Sequence, residues 1–271
     1  MKRPIALLTD FGEGSVFVGE MQGSILKINP DAVILDLTNR VRPHDIFQAA
    51  FLLKYSYRYF PKNSIFLCVV DPEVGSGRKP LAIRTKNYFF VGPDNGLLYP
   101  AASDDGIRRT VLLENRKYFL EKVSSTFHGR DIFAPVAAYI SKGVAIERFG
   151  TVISSIKELV FEEPGVDENG YLVCRVMYVD DFGNVITNLN EPQLSSLLMR
   201  SHAVGPSDLV LEIGKKAYDI RLAKYYCEVG EGSPLALFNS FGLLEISVNR
   251  GDASKYFSLK EGDTIRIKTL K

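Results

Sequence analysis

PIALLTDFGEGSVFVGEMQGSILKI, residues 4–28, changes its apolar rhythm once, and that change decides the fold. PIALLT is a short apolar run of the kind a sheet strand carries. From Ser15 the apolar residues recur near i, i+3, i+4 and i+7, the spacing of one helix face. Between the two, Asp10 sits at the mouth of the strand, and Gly12 and Gly14 let the chain turn sharply into a helix starting near Ser15. The same alternation returns in AVILDL and SIFLCVV, separated by the helical pattern of DIFQAAFLLKYSYRYF. Alternating strands and helices predict an α/β layer around a central, mostly parallel sheet, and such sheets bind ligands beyond the carboxyl ends of their strands. Three of these strands carry acids at or near that end: Asp10, Asp36 and Asp71.

Working outward, LAIRTKNYFFVG and PDNGLLYP read as hairpin-like strands, and DIFAPVAAYISKG reads as a helix with Asp131 near its start and Gly143 after its end. The polar, aperiodic segment EEPGVDENG, residues 162–170, reads as a linker. It divides an N-terminal α/β domain, residues 1–161, from a smaller C-terminal domain, residues 171–271. There YLVCRVMYVD, SDLVLEI, KAYDIRL, SPLALFNS, LLEISV and DTIRIKTL are short strands at fairly even spacing, which predicts an antiparallel, barrel-like β domain; EPQLSSLLM is its one helical stretch.

Composition removes several function classes. Thirty-three basic against thirty-two acidic side chains leave a charge of +1, so no field of one sign draws nucleic acid or an anionic bilayer. Cys68, Cys174 and Cys227 lie far apart without CxxC spacing, in runs typical of buried thiols, and no His, Cys or carboxylate cluster has metal-ligand spacing. No metal and no cofactor is expected. No apolar stretch reaches the roughly 18 residues of a membrane span, and the apolar run near the N-terminus is too short for a signal peptide. A cytoplasmic protein is expected.

Several local groupings could carry chemistry, and each has a bland alternative. CVVDPEVGSGRKP places Asp71 and Arg78 seven positions apart across a Gly-rich turn, either as an ion pair stapling a loop or as a pair facing a cleft. Exposed pairs contribute a median of about 0–1 kcal/mol, so stability alone is a weak reason for one. His128, in STFHGRDIFAP, precedes Gly129 in a polar turn; a lone histidine is most often structural, yet one near neutral pKa can take a proton from water. Asp10 either braces its turn or accepts the hydroxyls of a ribose. The glycines after it lack the spacing of a dinucleotide fingerprint, and no Walker lysine follows. In YVDDFGNVITN, Asp180, Phe182 and Asn184 suit either a hairpin turn or a loop that puts a carboxylate, a ring and an amide round one ligand. Asn239, Ser240 and Asn249 stand at strand ends, where loop bonding is as natural as ligand binding.

Taken in order, LLTDFG, VVDPEVGSGR, DNGLL, TFHGRD, DFGNVITN and NSFGLLEI span nearly the whole chain. This series resembles the S-adenosyl-L-methionine (SAM) hydroxide adenosyltransferases, the adenosine-forming SAM hydrolases related to the SAM-dependent fluorinating and chlorinating enzymes. The resemblance implies displacement at the 5′ carbon of SAM by water, giving adenosine and L-methionine, with SAM as substrate and no cofactor. It also implies a homotrimer whose active sites lie between subunits. Carried over by motif, the catalytic Asp-Arg-His set falls on Asp71, Arg78 and His128, and the ribose acid on Asp10. Asp180 looks like the acid for the methionine ammonium, Phe182 and Asn184 look like adenine contacts, and Ser240 matches a serine that binds the methionine carboxylate. His44 aligns loosely with an aromatic beside the ribose. Phe241 stands where the halogenating relatives carry an arginine. Two other readings compete: a SAM-dependent halogenase, against which a charged Asp71 would repel a halide, and a non-catalytic SAM- or adenosine-binding module.

Overall fold

The structure, a computed structural model, describes residues 3–200 and 208–269. The chain divides into two compact units, Met1–Val160 and Phe161–Lys271.

In the first unit, strands β1 (Ile5–Thr9), β2 (Ile34–Thr38), β3 (Ile65–Val69), β4 (Pro80–Thr85), β5 (Phe89–Pro93), β6 (Ile107–Leu112) and β7 (Val152–Ile153) form one sheet in the order β2-β1-β3-β5-β4-β6-β7. Pairings from β2 through β5 are parallel, and those of β4, β6 and β7 are antiparallel. Both faces of the sheet are covered at β1, β3 and β5, which is why these strands are buried at every position rather than at every second one, whereas the edge strand β2 is partly exposed. Ile5, Leu7, Ile65, Leu67 and Val69 pack on one face with helices α1 (Val16–Ile28) and α4 (Ala134–Ser141). Ala6, Leu8, Phe66, Cys68 and Val70 pack on the other with α2 (Ile46–Ser56) and α3 (Tyr99–Asp105). Ser15 caps α1 by accepting from Phe17 N–H, at the start the sequence predicts.

Two departures from the sequence reading matter for the site. PDNGLLYP is not a strand. The Asn95 side chain bonds the carbonyl of Val70 and the N–H of Leu97, and Pro100 opens α3. Before α4 the chain makes a π-helical turn, Gly129–Phe133, with His128 at its N-terminal end. Pro135 accounts for it: proline has no N–H to donate to the carbonyl four residues back, and its ring crowds that carbonyl. That carbonyl, of Asp131, accepts Leu120 N–H instead, at 2.9 Å.

In the second unit, β9 (Leu172–Val179), β10 (Val185–Asn190), β11 (Leu209–Ile213), β12 (Lys216–Leu222), β13 (Pro234–Phe238), β14 (Leu243–Val248) and β15 (Thr264–Thr269) close into a seven-strand barrel. All its described pairings are antiparallel except β12 with β13. Strand β10, which begins inside the motif YVDDFGNVITN, bridges β9 and β14 and so closes the barrel. The expected linker, residues 162–170, carries the short strand β8 (Gly165–Val166), paired to β9, and Asp167, which binds Arg266. Helix α5 (Glu191–Arg200) follows β10, and α6 (Ala253–Phe257) follows β14. Cys68 and Cys174 are buried, but Cys227 is exposed because its aromatic run forms a short surface turn rather than a strand.

Candidate active site

Parallel pairing of β1 with β3 puts Thr9 opposite Val69, so the residues that follow, Asp10 and Asp71, emerge at the same carboxyl edge of the sheet. A cavity of about 600 Å³ opens there, lined among others by Asp10, His44, Asp71 and His128. Asp36 lies exposed within β2 and does not line it.

Asp71 and Arg78 are not a surface staple. Their side chains are 5% and 4% exposed, and the guanidinium grips the carboxylate side-on: Nε donates to both oxygens at 2.9 Å and Nη2 to Oδ2. Nη2 also lies 3.0 Å from His128 Nδ1, and the guanidinium carbon rests 5.1 Å from the centre of the Phe133 ring. Among the described residues, Arg78 Nη1 is the buried side-chain polar atom left without a hydrogen-bond partner. The turn is built for close approach: Gly75 has φ +78°, and a Cβ there would stand 2.2 Å from the Ser125 carbonyl oxygen, in the segment that carries His128.

A guanidinium has only donors, so His128 Nδ1 must accept, which puts the neutral ring's proton on Nε2. Burial first, then the positive charge of Arg78, lowers the His128 pKa below its usual 6.5; Asp71 and Asp131 offset this in part. Buried Asp131 holds the histidine's segment from behind, accepting from Ser124 N–H at 2.7 Å and Arg130 Nε at 2.6 Å. Arg130 also reaches Glu20, at 2.8 Å.

Elsewhere on the lining, Asp10 Oδ2 accepts His44 N–H at 2.8 Å, which leaves Oδ1 to a ligand. His44 holds φ +68°, a conformation that strains a non-glycine residue, and its imidazole is 75% exposed beside the cavity. Three rings the sequence reading passed over, Phe11, Phe17 and Phe127, line the same cavity and meet edge to face with centroids 5.4–5.9 Å apart. Their signal was present only as aromatics in two of the motifs, without a spacing that joins them.

The remaining predicted residues, Asp180, Phe182, Asn184 and Ser240, line a separate cavity of about 430 Å³ in the barrel unit. Asp180 Oδ1 accepts the N–H groups of Phe182 and Asn184, and Oδ2 accepts Asn184 Nδ2, all at 2.9 Å, so this carboxylate organises its own turn as well as facing the cavity. Phe182 is 79% exposed, whereas Asn184 is buried. Lys224 and Tyr226, which no motif marked, line it too, as does Glu245, which lies in NSFGLLEI but had no role assigned to it. Glu245 is buried and takes bonds from Tyr226, Ser247 and Asn239, all of them uncharged donors. Burial and Glu245 together raise the Tyr226 pKa, so the phenol stays protonated and donates. Among the described residues, no group of three His, Cys, Asp or Glu side chains is arranged to hold a metal ion.

Residues 5–150 match the SAM hydroxide adenosyltransferase N-terminal domain, and residues 174–266 match the C-terminal domain of the same name. The chain belongs to the SAM hydroxide adenosyltransferase family. Within it, the chain is 34% identical to an (R)-S-adenosyl-L-methionine hydrolase from Methanocaldococcus jannaschii, covering 97% of this chain and 95% of the relative. A fluorinase from Nocardia brasiliensis is more distant, at 24% identity over 98% of this chain and 97% of its own. Among solved structures, an uncharacterized conserved protein from Thermotoga maritima superposes with a TM-score of 0.89 at 40% identity, covering 97% of this chain and 99% of that one.

Proposed function

We infer that this chain hydrolyses S-adenosyl-L-methionine, with water displacing methionine from the 5′ carbon to give adenosine. The observation that carries the reading is the buried Asp71–Arg78–His128 relay at the edge of the cavity. Burying an ion pair costs several kcal/mol of desolvation per ion, which its mutual attraction does not reliably recover, so a buried pair bordering a cavity is better explained by chemistry than by stability. The cavity also suits a cation: three acids, Asp10, Glu20 and Asp71, face it against two guanidiniums, Arg130 on its lining and Arg78 behind Asp71, and SAM carries a positive sulfonium.

In the reaction the water oxygen forms a bond to C5′ while the C5′–S bond breaks and its electron pair goes to sulfur. The leaving group is a neutral thioether and needs no acid. The proton lost by water needs an acceptor, and the hydrogen-bond pattern favours one. His128 has Nδ1 committed to Arg78 and a proton on Nε2, so it can orient the oxygen by donating but has no lone pair to spare. The Asp71 carboxylate lines the cavity and retains acceptor capacity beyond its bonds to Arg78, so Asp71 takes the proton while Arg78 favours the hydroxide-like oxygen. Asp10 holds the ribose diol, with His44 beside it; Phe182 and Asn184 receive adenine; Asp180 and Ser240 receive the methionine end. A homotrimer, in which the cavity of one copy and the barrel cavity of another share one SAM, goes with this reading; light scattering then gives three chains of 30.2 kDa each.

The relative's name specifies R where L already fixes the amino-acid carbon, so the descriptor refers to the sulfonium, and (R)-SAM is the epimer to supply. Incubation of purified protein with each epimer, followed by chromatography of adenosine and methionine, tests the reading. Equal amounts of both products are expected, abolished by Asp71→Ala and His128→Ala. Intact SAM after long incubation, with the variants binding it as wild type does, would leave a binding module.

A further inference from the structure

The barrel cavity contains three charged side chains, and their signs do not balance. Asp180 and Glu245 are acids, and Lys224 is its single cation. Glu245 is buried with its charge met only by the Tyr226 and Ser247 hydroxyls and the Asn239 amide. A substrate carboxylate entering such a cavity meets two like charges and needs a cation to offset them. Phe241, next to Ser240 on the cavity wall, offers none.

Lys224 is placed for that task. Its backbone N–H is fixed by Glu228 Oε1 at 2.9 Å, and the other oxygen of Glu228 faces Arg221 at 3.4 Å. The acid best placed to neutralise the lysine is therefore occupied. Among the described residues, the Lys224 ammonium has neither a hydrogen bond nor an ion pair, and the residue is exposed at the mouth of the cavity. A lysine with a held backbone and an unpaired head, beside two acids and the Ser240 hydroxyl, suits a ligand carrying its own carboxylate.

We propose that Lys224 is the cation that receives the α-carboxylate of the amino-acid end of the substrate. The proposal rests on the SAM reading above and adds the residue that selects the intact amino acid over its decarboxylated form. Steady-state hydrolysis of SAM and of decarboxylated SAM, which lacks only that carboxylate, is compared for wild type, Lys224→Met and Lys224→Arg. A charge-assisted bond of ordinary strength predicts that Lys224→Met raises KM for SAM roughly 10- to 100-fold and leaves KM for decarboxylated SAM within about 3-fold. Lys224→Arg restores most of the discrimination. Equal effects on both substrates, or none on either, would overturn the assignment. Calorimetric binding of L-methionine and of 3-(methylthio)propylamine to the same proteins supplies a readout independent of turnover. Lys224-dependent preference for L-methionine without adenosine formation would sink the hydrolase reading and keep the lysine; adenosine formation without that preference would do the reverse.

Discussion

Removing either partner of the Asp71–Arg78 pair, and then both, separates a catalytic role from a structural one. With exposures of 5% and 4%, each side chain is stranded when the other is lost: Asp71→Leu leaves a buried guanidinium that already has one unpaired donor, Nη1. Breaking a buried pair from one side costs about 3–5 kcal/mol, whereas replacing both members by apolar residues of similar volume is often neutral or stabilising. Asp71→Leu and Arg78→Met are therefore each expected to lower stability by about 3–5 kcal/mol, a fall of roughly 6–20 °C in the midpoint of the N-terminal unit. The double variant Asp71→Leu/Arg78→Met is expected to return to within about 1–2 kcal/mol of wild type. Phe133, already against the guanidinium, is a suitable neighbour for the methionine. Urea unfolding followed by circular dichroism reads stability, and adenosine release reads activity. All three variants should be inactive, the refolded double included. A double variant as unstable as each single one would show that the pair is a staple, and adenosine release from it would remove the pair from the chemistry.

Other consequences are quicker to check. Because the His128 pKa is lowered, the unfolded chain takes up this proton at a higher pH than the folded one. Stability from this group is thus full above about pH 6.5 and declines as pH falls from there through the lowered folded value; kcat, which reads the folded enzyme alone, falls only around that lowered value, because protonation at Nδ1 breaks the Arg78 contact. The acid limb of kcat should disappear or move in His128→Gln. Gly75→Ala puts a Cβ 2.2 Å from the Ser125 carbonyl oxygen at a left-handed φ, so it should cost about 1–3 kcal/mol and reduce kcat more than KM by moving the histidine's segment. Phe182→Ala, at a ring 79% exposed, should leave unfolding within about 0.5 kcal/mol of wild type. The lost base stacking, about 1–3 kcal/mol, should raise KM by one to two orders of magnitude. Dialysis against a chelator should leave adenosine release unchanged.

Much of this was legible because local chemistry repeats in known ways. The strand–turn–helix rhythm of residues 4–28 predicts β1, the glycine turn and α1, and Asp71 with Arg78 stand close enough in sequence to be seen as a pair. His128 lies fifty residues from Arg78, and only its motif company suggested the contact. What escaped depends on long-range packing. The π-turn arises because Pro135 frees a carbonyl that Leu120 then uses, a bond between residues no periodicity connects. Strand β10 carries Thr and Asn among its apolar residues, and its role appears only once β9 and β14 lie on either side of it. Lys224 follows the end of β12 and Glu245 lies within β14, so only the closed barrel brings them to one cavity.

The claim at the centre is that solvent oxygen, activated by Asp71 with Arg78 and His128, attacks C5′. Turnover in water enriched in oxygen-18, with mass spectrometry of the products, tests it most directly. One labelled oxygen in the 5′ hydroxyl of adenosine and none in methionine is the expected result. Adenosine without label, or a halogenated nucleoside when chloride or fluoride is added, would contradict it.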